Sequence, residues 1–181
     1  MKFIRTVSLL SILFFFFCTV KIKAQTYMGL GAEMLLPSGN ASNVSAIGLG
    51  ASAKLEVTVK SNIALTGSIG FSNFFGRNYF GSKLQSIHAF PLKGGVKYYP
   101  TAGVYFEGQL GVALSGSDNT KNSFIWSPGL GTLLKSKTNN NLIDLGLRYE
   151  AWTVKNPNNE TQLKSTNFGF MALRAAYNFN M

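Results

Sequence analysis

The sequence predicts an all-β fold, a single antiparallel transmembrane β-barrel of about eight strands. Three observations carry that reading. Segments with a two-residue apolar/polar period recur along the chain between clusters of Gly, Asn, Ser and Pro, and no helical periodicity interrupts them. One face of those segments carries no charge, while the other holds ten charges among small residues. The chain also opens on a stretch with the pattern of an export signal.

In that stretch Met1 to Arg5 carry two positive charges, Thr6 to Val20 form an apolar core, and Ile22-Lys23-Ala24 offers small-residue cleavage before Gln25. Residues 1–24 are therefore expected to be a cleaved signal peptide, and residues 25–181 one barrel domain. The apolar run is short of the roughly 20 residues that a membrane-crossing helix needs, and no later stretch approaches that length. Cys18 is the only cysteine and lies inside the signal, so the remaining chain has neither thiol nor disulfide. Phe17 before it is not the small residue of a lipoprotein signal.

Charged residues make up 13% of the chain, against about 25% in ordinary soluble domains. Gly is abundant, with 19 copies, and Phe has 15. Removing Lys2, Arg5, Lys21 and Lys23 takes the 17 basic residues to 13 against 7 acidic ones, a net charge of +6.

The alternating segments fall at 26–36, 46–58, 62–71, 85–99, 104–114, 123–135, 142–152 and 167–179. Alternate side chains face opposite sides of a sheet, so each segment can be sorted by parity. The first sets Met28, Leu30 and Met34 against Glu33; the second sets Ile47, Leu49, Leu55 and Val57 against Lys54 and Glu56. The third places Ile63, Leu65 and Ile69 on its apolar face and no charge opposite. The fourth sets Phe90, Leu92, Val96 and Tyr98 against Lys93 and Lys97, and the fifth sets Val104, Phe106, Leu110, Val112 and Leu114 against Glu107. Phe124, Trp126, Leu130 and Leu134 mark the sixth. The seventh sets Ile143, Leu145, Leu147 and Tyr149 against Asp144, Arg148 and Glu150, and the eighth sets Met171, Leu173, Tyr177 and Phe179 against Arg174. Pro91 and Pro128 fall inside strands, where neither donates a ladder hydrogen bond, so a bulge is expected at each.

Alternation alone fits a soluble, lipocalin-like carrier with an apolar cavity as well as a membrane barrel with an apolar exterior. The export signal, the low charge and the Gly, Ala and Ser on the charged face favour the membrane. Aromatic residues collect toward strand ends, Tyr27, Tyr98, Tyr99, Tyr105, Phe106, Tyr177 and Phe179 at one rim and Phe71, Phe124, Trp126, Tyr149 and Trp152 at the other. Such girdles are expected at the two membrane interfaces. The connections at "VKSN" and "PTAG" are tight, and those at "SNFFGRNYFGS", "SGSDNTKN" and "TVKNPNNETQLKS" are longer. Bacterial barrels have short periplasmic turns and longer outer loops, so both termini are expected to be periplasmic.

The export signal, "FPLKGGVKYYP" followed by "VYFEGQLGVAL", "SPGLGTLL", "LIDLGLRYE" and the last strand "MALRAAYNF" together resemble the small outer-membrane β-barrel domain family of Gram-negative bacteria, the OmpA/OmpX-like, porin-family type. The resemblance covers essentially all of residues 25–181. It implies the barrel fold, the outer membrane, and a last strand whose Tyr177 and Phe179 are read by the barrel-insertion machinery. It does not imply one function, because members of the family differ.

No catalytic, cofactor-binding or metal-binding residues stand out. Catalysis needs a nucleophile and a base within reach, and the only such pairing is Ser86 with His88, the one histidine in the chain. It faintly resembles the lipid-facing His and Ser of an eight-stranded lipid A deacylase, but the order is reversed and no carboxylate shares its face. Dispersed acidic residues, one histidine and no cysteine beyond the signal argue against a metal site. The "GLG" stretches precede no helix and are not nucleotide loops. The basic residues outside the charged face split between the two ends and form no stripe for nucleic acid.

Two groups remain. Glu33, Lys54, Glu56, Lys93, Lys97, Glu107, Asp144, Arg148, Glu150 and Arg174 are expected to form a lumen charge network, with Lys93 or Lys97 meeting Glu107 and with Arg148 between Asp144 and Glu150. Phe74, Phe75, Arg77, Tyr79 and Phe80 form a candidate surface-contact loop for lipopolysaccharide or another envelope partner. The sequence thus points to a non-enzymatic outer-membrane protein with a plugged polar lumen and a structural or surface-interaction role. A lipid-modifying enzyme is the alternative, and a soluble exported carrier the third.

Overall fold

The computed structural model of the protein describes residues 26–79, 82–83, 85–116, 122–135, 141–154 and 166–181. The elements run β1 (Thr26–Ser38), a 3-10 helix (Gly39–Asn43), β2 (Ser45–Lys60), β3 (Ile63–Gly76), β4 (Asn78–Tyr79), β5 (Ser82–Lys83), β6 (Ile87–Thr101), β7 (Val104–Ser115), β8 (Ser123–Lys135), β9 (Leu142–Val154) and β10 (Thr166–Asn180). Eight of them close a barrel in the order β1-β10-β9-β8-β7-β6-β3-β2, and β4 and β5 form a separate small hairpin. Neighbouring barrel strands pair antiparallel. The closing seam runs from Tyr27 opposite Asn180 to Ser38 opposite Gly169. Closure leaves no unpaired strand edge, which a membrane core requires.

At one end of the barrel, the turn end, β2 and β3 are joined by Ser61-Asn62 and β6 and β7 by Ala102-Gly103. Gly103 sits at φ 89, where a side chain is disfavoured, and its carbonyl accepts from the Leu133 N–H at 2.6 Å. The start of β1 and the end of β10 lie at this same end. The longer connections leave from the opposite, loop end.

The apolar parity faces outward. Leu110 is 60% and Ile69 59% exposed, whereas Lys97 and Asp144 are 0% exposed. A lipocalin-like carrier would show the reverse, so the carrier reading is corrected: the chain is a transmembrane-type barrel.

The expected bulges at Pro91 and Pro128 do not occur. Pro91 stays opposite Ala113, and Pro128 opposite Gly108, with unbroken register. Each proline leaves local gaps in the pairing on its other side, around Gly70 and Phe71 and around Tyr149 and Glu150, and the numbering resumes unshifted. Losing one N–H costs less than displacing the side chains of a whole strand, because a one-residue slip exchanges the two faces. The register shifts lie at strand ends instead, at Ser45/Ile47, Thr58/Lys60 and Tyr98/Thr101.

Three aromatics assigned to the rims turn inward. Tyr105 and Trp152 are buried and Tyr99 is half-buried, because each shares its parity with a charged neighbour, Glu107, Glu150 and Lys97 respectively. The outward rims are Tyr98, Phe106, Tyr177 and Phe179 at the turn end and Phe71, Phe90, Phe124 and Trp126 at the loop end.

Candidate functional site

The interior of the barrel has two layers. Toward the turn end lies a ladder of charges. Tyr99 Oη donates to Glu56, whose other oxygen accepts from Lys97 Nζ at 2.8 Å. Lys97 also lies 3.4 Å from Asp144 Oδ2 and 3.9 Å over the Tyr105 ring. Asp144 accepts from Tyr105 Oη and from Arg174 Nη1, the latter at 3.1 Å. Arg174 Nε is 3.7 Å from Glu33, which binds Arg148 through both oxygens at 3.2 and 2.7 Å. Arg148 Nε continues to Glu150 at 2.9 Å, and Glu150 also accepts from Lys93 at 2.7 Å. Eight of the ten charges therefore belong to one connected chain. Lys54 and Glu107 form a separate pair at 2.7 Å, in which Glu107 also accepts from Thr66 at 2.9 Å and Gln109 at 3.0 Å.

The expected partners are corrected in two places. Glu107 meets Lys54 on β2, not Lys93 or Lys97, although Lys97 sits directly opposite Glu107 in the ladder of β6 and β7. Arg148 lies between Glu33 and Glu150, and Asp144 goes to Lys97 and Arg174. The reason is geometric. All inward side chains converge on one narrow axis, so a lysine reaches a carboxylate on the far wall as readily as one on the adjacent strand. Lys93 crosses from β6 to Glu150 on β9 in this way.

Small residues make the crowding possible. A Cβ on Gly129 would stand 2.7 Å from the Arg148 Cβ. One on Gly131 would overlap the Tyr105 ring, and one on Gly146 would come within 3.0 Å of its hydroxyl. The strand glycines here are the room in which long side chains lie.

Toward the loop end the interior becomes apolar. Phe74, Trp152 and Phe170 are buried and Phe168 packs against them, with centroids 4.9 Å apart for Phe74 and Phe168, 5.0 Å for Phe74 and Phe170, and 5.4 Å for Trp152 and Phe170. Leu35 and Ile125 complete this layer. The indole N–H of Trp152 donates to Glu150 Oε1 at 2.7 Å and ties the two layers together. Sequence reasoning missed the apolar layer. Its signal was parity carried past the last charge, from Glu33 to Leu35, from Glu150 to Trp152, and from Arg174 back to Phe170 and Phe168.

Phe74 is thereby corrected: it is a core residue of the barrel interior and offers nothing to a surface partner. Phe75 and Arg77 are exposed. Arg77 Nη1 donates to the Ser42 carbonyl at 2.8 Å, and its backbone N–H to Val44 at 3.0 Å, which clasps the 3-10 helix to the end of β3. Tyr79 pairs with Ser82 in the β4–β5 hairpin, and Phe80 lies outside the described residues. His88 is half-buried on the outer surface, its ring stacked on Phe71 at 6.2 Å.

A closed eight-stranded barrel, apolar outside and ion-paired inside, has the fold of the small outer-membrane β-barrels. Among solved structures it is similar to the Neisserial surface protein A, at 12% identity and a TM-score of 0.56, covering 86% of this chain and 97% of that one. It is also similar to Ail, the attachment invasion locus protein of Yersinia pestis, at 14% identity and a TM-score of 0.54, covering 87% of this chain and 100% of that one. A second Ail structure, in complex with the heparin analogue sucrose octasulfate, matches at 15% identity and the same TM-score of 0.54. No family model matches the chain, and no curated protein matches it.

Proposed function

We propose that this chain is a bacterial outer-membrane protein with a plugged lumen and a structural or surface-interaction role, exported by residues 1–24 and seated with both termini in the periplasm. The observation that carries the reading is the pairing of an apolar exterior with an interior filled by matched charges and aromatic rings. Burying charge is costly unless it is paired, and broken pairs are strongly destabilising. An interior of this kind holds the barrel shut. The surface role falls to the loop end, where Phe75 and Arg77 are exposed, and the sequence assigns Lys83, Lys121, Lys155 and Lys164 to the same end. Basic groups there suit an anionic ligand, lipopolysaccharide phosphate first, and the sulfated sugar bound by Ail is a ligand of the same sign.

The test combines fractionation, gel mobility and conductance. The protein is expected in outer membranes, with a mobility that shifts on boiling, and in planar bilayers it is expected to pass no steady porin-like current. Recovery as a soluble periplasmic protein removes the membrane reading. Large steady conductance removes the plug. Replacing Arg77 by Ser is expected to weaken binding to lipopolysaccharide micelles and leave the gel shift unchanged; unaltered binding removes the surface role of this loop.

A further inference from the structure

The closing seam between β1 and β10 differs in kind from the other junctions of the barrel wall. Elsewhere the two strands of a junction are tethered by the connection that joins them in sequence, whereas β1 and β10 come from opposite ends of the chain. A tether keeps its ends at high effective concentration. The seam has only its own contacts to hold it.

On the inner face those contacts are sparse toward the turn end, where Gly31 stands opposite Ala176 and Gly29 opposite Asn178. Glu33, opposite Arg174, is the exception and the only charge on β1. Its two oxygens take the fork of Arg148 on β9 at 3.2 and 2.7 Å, and Arg174 Nε on β10 lies 3.7 Å away. The Ser52 hydroxyl on β2 joins them, donating to Glu33 Oε1 at 2.6 Å and accepting from Arg174 Nε at 3.2 Å. Four strands, two from each end of the chain, thus meet at one carboxylate. Among the described residues, both ion pairs that cross the seam belong to Glu33. A Cβ on Gly31 would stand 2.7 Å from that of Ala176 and 3.1 Å from Arg174 Nε, so the glycine is what lets the arginine lie along the junction.

The two sides of the seam differ in what they hold without each other. β9 and β10 carry Asp144, Arg148, Glu150 and Arg174, and between themselves they pair Arg148 with Glu150 at 2.9 Å and Arg174 with Asp144 at 3.1 Å. Glu33 has no such alternative. On the neighbouring strand β2, Lys54 is engaged by Glu107 and Lys60 is exposed at the strand end. Only closure of the seam gives this carboxylate a cation.

We infer that Glu33 is the latch of the barrel: the junction of β1 with β10 is the line along which the wall opens, and Glu33 locks it by engaging two arginines from the other end of the chain. This goes beyond a filled lumen, because it gives opening a single place in the wall. It rests on the closed barrel and is independent of the surface role.

The test is amide hydrogen exchange of the protein refolded in phospholipid vesicles, resolved by mass spectrometry to individual strands. Glu33→Gln is expected to speed exchange about tenfold in β1 and β10 and to leave β6 and β7 near the wild-type rate. Ser52→Ala, which deletes only the hydroxyl bridge, is expected to have the same strand preference at about threefold, and it carries the test if Glu33→Gln does not refold. Lys54→Met breaks a buried pair between β2 and β7 and is expected to show no preference for the seam. Ala32 and Ala175 stand directly opposite each other, at a spacing that antiparallel partners share with disulfides. Ala32→Cys with Ala175→Cys, oxidised, is therefore expected to return Glu33→Gln to wild-type protection. Unchanged exchange in Glu33→Gln, equal acceleration in every strand, or acceleration that persists after the disulfide has formed makes Glu33 one interior charge among ten and overturns the inference.

Discussion

The two halves of the barrel interior solve the same packing problem with opposite chemistry. At the turn end the space is filled by Lys97, Asp144, Arg174 and Glu33, each buried and each paired more than once. At the loop end it is filled by Phe74, Trp152, Phe170 and Leu35, which need no partner beyond contact. The difference teaches where the fold is brittle. An apolar layer loses stability in proportion to the volume removed, whereas a charged layer fails when one member leaves and its partners stay behind.

Lys97→Met should break this comparison most sharply. Lys97 is the cation between Glu56 and Asp144, and its removal leaves two buried carboxylates on one side of the ladder. The expected loss is about 4 kcal/mol, read as a lower urea midpoint for refolded barrel in vesicles. A loss below 1 kcal/mol would mean that water reaches the ladder. In the apolar half, Phe170→Ala should cost about 3 kcal/mol by leaving a cavity, and Phe170→Leu should recover most of it. Failure of leucine to recover stability would show that ring geometry, not volume, holds the layer.

Glu107→Gln is expected to act less strongly, at about 2 kcal/mol. The glutamine oxygen still accepts from Thr66 and Gln109, while Lys54 loses both the charge and the hydrogen-bond acceptor that faced it. Although this pair is not hydrogen-bonded to the main ladder, Lys97 stands directly opposite Glu107 on the neighbouring strand, so the double variant with Lys97→Met should depart from the sum of the singles by about 1 kcal/mol. Simple addition would show that the two sets of charges act independently.

The same contrast explains what was legible beforehand. Strand positions follow from alternation, because lipid on one side and crowding on the other hold period two over whole strands such as Leu142–Val154. Charges report their own parity. Apolar residues that point inward do not, since Leu35, Trp152 and Phe170 look the same in a sequence whether they meet lipid or a neighbouring ring. Partner choice was hidden for another reason. Adjacent strands are visible in chain order, but the contacts of Lys54 with Glu107 and of Lys93 with Glu150 cross the barrel axis and depend on closure and stagger.

The smallest expected effect tests whether the halves are one unit or two. Trp152 is the only residue among those described that belongs to the apolar layer and also hydrogen-bonds the ladder, through its indole N–H to Glu150. Trp152→Phe keeps most of the ring volume and deletes that donor. Glu150 retains Lys93 and Arg148, so the carboxylate stays paired and the loss should be about 1 kcal/mol. Pairing it with Lys93→Met sharpens the question, because Lys93 holds the other oxygen of the same carboxylate. If Glu150 transmits between the layers, the double variant should lose about 1 kcal/mol more than the sum of the singles. If the losses simply add, the aromatic plug and the charged ladder are independent fillings that happen to share a barrel.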